Sequence, residues 1–187
     1  MIWKQALTGI LIAALTGCTA GEAPMQRALD LRTSLMNAGG CSCTAAIRAE
    51  YEDRAYSFTV ACTYTDDGAN ITVLQPREIA GISAAVSADG ARVIFEDVEL
   101  DLGQMAEGNV SAMSAGWLLP HCWESAYIDC AGTDGDLYRI TYLEGYNEEE
   151  LTVDTWLDET QTPVYAEVSY DGIRCLTIQY SDFQFLP

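Results

Sequence analysis

From residue 41 onward the chain alternates apolar and polar side chains with a period of two, and the phase of the alternation changes between neighbouring runs. In CSCTAAIRAEY the odd positions Cys41, Cys43, Ala45, Ile47 and Tyr51 are apolar, while Arg48 and Glu50 take the other face. In AYSFTVACTY the even positions Tyr56, Phe58, Val60, Cys62 and Tyr64 form the apolar face. An antiparallel hairpin must therefore pair odd with even numbers if both apolar faces are to fall on one side. A two-residue turn at Glu52-Asp53 pairs Tyr51 with Arg54 and sets Cys43 across from Cys62. A shift of two residues brings Cys41 within diagonal reach of Cys62 instead.

Further strand patterns follow in ANITVLQP, EIAGISAAVS, ARVIFEDVEL, LYRITYL, LTVDTWLDE, PVYAEVSYD and IRCLTIQYSDFQF. They are punctuated by Asp66-Asp67-Gly68, Asp89-Gly90, Glu144-Gly145 and Asp171-Gly172. Short strands with glycine turns at close spacing predict an antiparallel sheet of about eight or more strands. Before them, Pro24 suits a helix start, Ala28, Leu29, Leu31, Leu35 and Met36 make an apolar stripe, and NAGG at 37–40 supplies a stop. The strand series breaks at 103–135, where two short helices are predicted over 109–118 and 120–129, carrying Met113, Trp117, Leu118, Leu119 and Trp123. A sheet with one apolar face needs a cover, and this insert with the first helix can provide it. The fold class expected is α+β, a strongly curved antiparallel sheet whose concave side is covered by helices.

The chain begins differently. One cation, Lys4, precedes the apolar run ALTGILIAAL, which is too short for a bilayer span of about 20 residues but suits an export signal. The run closes on Leu15-Thr16-Gly17-Cys18, which resembles the lipobox of bacterial lipoproteins. That resemblance implies a signal over residues 1–17, a diacylglycerol on the Cys18 thiol, a short tether through residue 23, and a single domain over 24–187. Acyl chains contribute about 0.8 kcal/mol per buried methylene, so two or three of them hold a protein to a membrane. The expected location is the extracytoplasmic face of the cell membrane, with the membrane as first partner.

Composition narrows the partners. The formal net charge is −19 over 187 residues, and loss of Lys4 with the leader takes it to about −20. Nucleic acid is excluded as an expected partner, because phosphate binding needs clustered Lys and Arg. Apart from Cys18 there are six cysteines, Cys41, Cys43, Cys62, Cys122, Cys130 and Cys175. An even number in an exported chain predicts disulfides. The hairpin phase leads one of Cys41 or Cys43 to Cys62, while the partners of the rest stay open. Cys41-Ser42-Cys43 lacks the C-x-x-C spacing of redox and zinc motifs, so neither a metal nor a cofactor is expected. The one histidine, His121, adjoins Cys122, but neighbouring side chains on a helix point apart. No nucleophile elbow or metal-protease pair occurs, and no catalytic residue is assigned. The acidic runs DVELD and NEEE read as solvated surface.

Taken together, the order of elements resembles envelope proteins of the LolA-like fold, a group of lipoprotein carriers, their receptors and Gram-positive lipoproteins. The likeness rests on Val153 to Tyr165, with Trp156-Leu157-Asp158 before Thr162-Pro163, and on Gln75-Pro76, Gly81-Ile82 and Phe95-Glu96-Asp97. It implies a half-barrel plugged by helices, with a lipid or acyl chain held between them, and makes Tyr56, Phe58, Val60, Trp117 and Trp156 the candidate ligand-lining residues. The same fold also suits a rigid platform for an envelope protein partner, such as a cell-wall enzyme. Ligand binding leads, and the expected role is non-catalytic.

Overall fold

The computed structural model describes residues 22–51, 54–88, 90–95, 98–101, 111–145 and 150–187. Residues 1–21, with the expected leader and Cys18, residues 52–53, where a turn is predicted, and residues 89, 96–97, 102–110 and 146–149 lie outside the described residues.

Helix α1 spans Glu22–Ala38 and stops where Gly39 takes a left-handed φ of +68°. Ala28, Leu31 and Leu35 are buried as the stripe requires, whereas Leu29 and Met36 are exposed. Strands β1 (Gly40–Tyr51) and β2 (Arg54–Thr65) follow, in the expected register: Tyr51 opposes Arg54 and Cys43 opposes Cys62. Next come β3 (Gly68–Gln75), a 3-10 turn (Arg77–Ile79) and β4 (Ser83–Ser87), so the predicted strand EIAGISAAVS is half turn and half strand. ARVIFEDVEL is likewise divided, into β5 (Gly90–Phe95) and β6 (Val98–Asp101), which pair with each other.

The insert is the main departure from expectation. It holds one α-helix, α2 (Ala115–Ser125), preceded by a 3-10 turn (Ala112–Ser114) that Ser111 caps by accepting from Met113 N. Pro120 sits inside α2 rather than dividing two helices, which costs the backbone bond its missing N–H would make to Gly116. Of the predicted second helix, residues 120–125 continue α2 and residues 127–129 open strand β7 (Tyr127–Asp134). The chain ends with β8 (Leu137–Glu144), β9 (Leu151–Leu157), β10 (Pro163–Tyr170) and β11 (Ile173–Phe185).

All eleven strands form one open antiparallel sheet in the order β6-β5-β4-β3-β2-β1-β11-β10-β9-β8-β7. Each neighbour is sequence-adjacent except β1 with β11, which joins the two halves. The faces follow from register. Ile47, Phe58, Ile178, Ala166, Thr155 and Ile140 stand in line on the inner face, toward α1 and α2. Arg48, Thr59, Thr177, Glu167, Asp154 and Thr141 belong to the outer face.

The helices divide the inner face between them. α1 packs on β1, β7, β8 and β11, and α2 on β2, β3 and β8. Beneath them Leu31, Leu35, Leu119, Trp123, Ile140, Tyr142, Val153, Leu176 and Ile178 are all at most 1% exposed. Among the described residues no helix is long and apolar enough to cross a membrane.

Candidate functional site

Three polar contacts hold the cover. Trp123, wholly buried on α2, donates from Nε1 to Thr155 Oγ1 at 2.9 Å, tying α2 to the floor of the sheet. Glu124 accepts from Tyr64 Oη at 2.6 Å, a bond that together with burial raises the tyrosine pKa. Arg32 of α1 donates to the carbonyls of Trp123 and Ala126 at 2.9 and 2.6 Å, satisfying acceptors left open at the end of α2. Around these bonds the interior is packed with side chains: Trp123 meets Tyr180 and Phe183 edge-on at 5.6 and 6.0 Å.

The cover stops short of one end of β2. Along its inward-facing positions Tyr64, Cys62 and Val60 are buried, Phe58 is half-buried, and Tyr56 is 44% exposed. Trp117, on α2, is also part-exposed while packed against the core, and stacks on His121 with ring centres 4.6 Å apart. The His121 Nε2 lies 3.7 Å from Glu144.

These positions sort the predicted ligand residues. Tyr56, Phe58 and Trp117 are inward and retain exposure, whereas Val60 is inward but sealed into the core. Trp156 is on the wrong face for a chamber under the helices. Its neighbours along β9, Thr155 and Leu157, point to the core, and Trp156 points outward, where Asp134 accepts from its Nε1 at 2.8 Å. Arg139 lies over its ring with Cζ 5.2 Å from the centroid, and Tyr165 leans on it with ring centres 5.1 Å apart. The sequence held the signal: in LTVDTWL, Trp156 shares parity with Asp154, not with Val153.

The outer face around Trp156 is a continuous polar lattice. Asp154 accepts from Arg139 at 3.1 and 2.7 Å and from Thr141 at 2.6 Å. The carboxylate raises the Arg139 pKa by hydrogen bonding. Further along, Glu167 accepts from Tyr165 and Arg174 at 2.7 and 2.9 Å, and burial, then the bond to Glu167, pushes Tyr165 up to about 12. A groove of about 360 Å³ on this face is lined by Ala46, Arg48, Thr59, Gln75 and Gln179, with the edges of Ile47 and Phe58. It is lined by polar and apolar groups together and does not lie between sheet and helices.

The sheet also divides the cysteines. Cys41, Cys43 and Cys62 are on the inner face, and Cys122 is buried on α2. Cys130 falls on the outer face of β7, whereas Cys175 is the unpaired residue at the β10–β11 register shift, part-buried and packed against the core. Four strand spacings, roughly 19 Å, separate β7 from β11, far beyond the Cα separation of about 4.4–6.8 Å that a disulfide spans. Cys130 thus shares its face with none of the other five, and all six are thiols in the structure. Among the described residues no group of three or more His, Cys, Asp or Glu is placed to hold a metal ion.

No family model and no curated protein matches the chain. Among solved structures, a putative outer membrane lipoprotein-sorting protein domain from Vibrio parahaemolyticus superposes with a TM-score of 0.50 at 11% identity, covering 88% of this chain and 92% of that one. A LolA superfamily protein from Nitrosomonas europaea gives 0.48 at 11% identity, covering 91% and 95%. The LprF protein from Mycobacterium bovis gives 0.42 at 11%, covering 91% and 96%. The fold is that of the LolA-like lipoproteins, as the sequence resemblance implied.

Proposed function

We propose that the chain is an extracytoplasmic lipoprotein, held to the membrane through Cys18, which binds a lipid or acyl chain at the open end of its inner face without catalysing a reaction. The observation that carries this is the exposure gradient along β2, from Val60 at 1% to Tyr56 at 44% on one apolar face. Aromatic side chains left part-exposed on a concave apolar surface make an entrance for an apolar ligand. Tyr56, Phe58 and Trp117 are the lining residues; Val60 forms the floor, and Trp156 has no part in it. The single domain over 24–187 and the tether over 18–23 complete the proposal.

A second reading, a rigid platform for an envelope protein, is favoured by the three polar contacts that fasten the helices, since a carrier must open. Native mass spectrometry of the extracytoplasmic chain, followed by organic extraction, separates the two. The ligand reading expects near-stoichiometric lipid that is lost in Phe58→Glu or Trp117→Glu while the circular dichroism spectrum is kept. A clean unliganded mass, with no uptake from offered phospholipid, would overturn it in favour of the platform.

A further inference from the structure

Cys43 and Cys62 are direct cross-strand partners, with Ala45 facing Val60 and Cys41 facing Tyr64 on either side. Directly opposed residues on antiparallel strands hold their Cα atoms about 4.5–5.5 Å apart, inside the range a disulfide requires. Their thiols already meet: Cys62 hydrogen-bonds Cys43, which lowers the Cys43 pKa, while that bond and burial raise that of Cys62. Cys41 is two residues removed, opposite a tyrosine, and burial pushes it up to about 12.

Helix α2 lies directly over this pair. At Gly116 an added Cβ would stand 2.7 Å from Ile71 Cγ1 and 2.9 Å from Cys62 Sγ, so the helix approaches the sulfur as closely as a glycine permits. Cys62 is 6% exposed as a result. Disulfide exchange needs a sulfur open to attack; the roof covers the sulfur of Cys62, while Cys43 stays part-exposed.

We infer that Cys43 and Cys62 form a disulfide in the exported protein, made while the β1–β2 hairpin is still uncovered and then sealed by the docking of α2 through Gly116. The two thiols give up two electrons and two protons to the disulfide of an envelope thiol oxidase, which leaves as a dithiol while the Cys43–Cys62 bond forms. Cys130, on the opposite face, remains a thiol. The inference rests on the export half of the proposed function and is independent of the ligand.

The test uses the full chain with its leader, expressed in a bacterial host and recovered from the membrane fraction. It is unfolded with an alkylating agent and no reductant, then mapped by mass spectrometry. The expected result is Cys62 linked to Cys43, unaffected by Cys41→Ser, with Cys62 becoming alkylated in Cys43→Ser. Alkylated Cys62 in wild-type protein, or its linkage to Cys41 or Cys122, would overturn the assignment. Lipid mass on the Cys18 peptide reads export separately. If it is missing, the unfolded chain is reoxidised in glutathione buffer, where failure to join Cys43 to Cys62 equally overturns the pairing.

For the sealing step, native protein is treated with dithiothreitol. Reduction is expected to be at least tenfold faster in Gly116→Ala than in wild type; equal rates would refute the seal. Should that variant fail to fold, the wild-type rate with and without urea below the unfolding transition gives the same reading, acceleration being the expected result.

Discussion

Trp123 and Tyr142 are both wholly buried under the helices, yet their polar atoms fare differently. The indole of Trp123 has Thr155 as its acceptor, while the hydroxyls of Tyr142 and Tyr180 are buried without a partner among the described residues. An unmet buried hydroxyl costs about 1–3 kcal/mol, so deleting it is close to neutral or favourable. Tyr142→Phe is therefore expected to leave the melting temperature unchanged or raise it, whereas Trp123→Phe, which strands the Thr155 hydroxyl, is expected to lose about 1–3 kcal/mol in denaturant titrations. A Tyr142→Phe protein that melts earlier than wild type would mean the hydroxyl has a partner.

Between the residues and the sheet lie turns whose chemistry is local. In the β9–β10 connection Asp158 accepts from Thr160 N, Thr160 Oγ1 and Thr162 N at 2.8, 2.7 and 3.0 Å. Burial works to raise its pKa, but the bonds from Thr160 and Thr162 outweigh it and hold the carboxylate below its ordinary value. The folded pKa is the lower one, so the stabilisation is present above the unfolded value of about 3.9 and disappears as pH falls through the folded pKa. Asp158→Asn is expected to flatten the loss of stability below about pH 4, measured by urea unfolding across pH 2–6. This turn was legible in Trp156-Leu157-Asp158 and Thr162-Pro163. β7 was not, because YIDCAGTD is an edge strand with a register shift between Ile128 and Cys130 that destroys the period-two signal. α2 was misread as two helices because Pro120 reads as a boundary, although the helix continues through it.

At the scale of the whole molecule, the proposed Cys18 anchor and the acidic surface have separable consequences. Cys18→Ser is expected to move the protein from the membrane fraction to the soluble extracytoplasmic fraction without changing the unfolding curve of the domain. Retention on the membrane would show that another surface attaches it, against the expectation from a net charge of −19 facing anionic lipid. The split of the cysteines by the sheet also acts at this scale. With Cys130 outside, no disulfide framework of all six cysteines joins the helices to the sheet, and Trp123–Thr155, Tyr64–Glu124 and the Arg32 contacts fasten them. Arg32→Ala is expected to lower stability by about 1–2 kcal/mol and to raise amide exchange in α2 before the strands.

Whatever repeats locally along the chain could be read from it. Period-two alternation determined which faces of β1 and β2 are apolar, and the short turn then allowed only odd-to-even pairing, which set Cys43 against Cys62. The apolar stripe of α1 and its glycine stop were equally local. Tertiary structure decided the rest, because it depends on which segments meet. The junction of β1 with β11 places the ends of the domain side by side, and the footprint of α1 and α2 leaves Tyr56 open while burying Val60 on the same strand face. Alternation states that two side chains share a face; only packing determines which of them is covered.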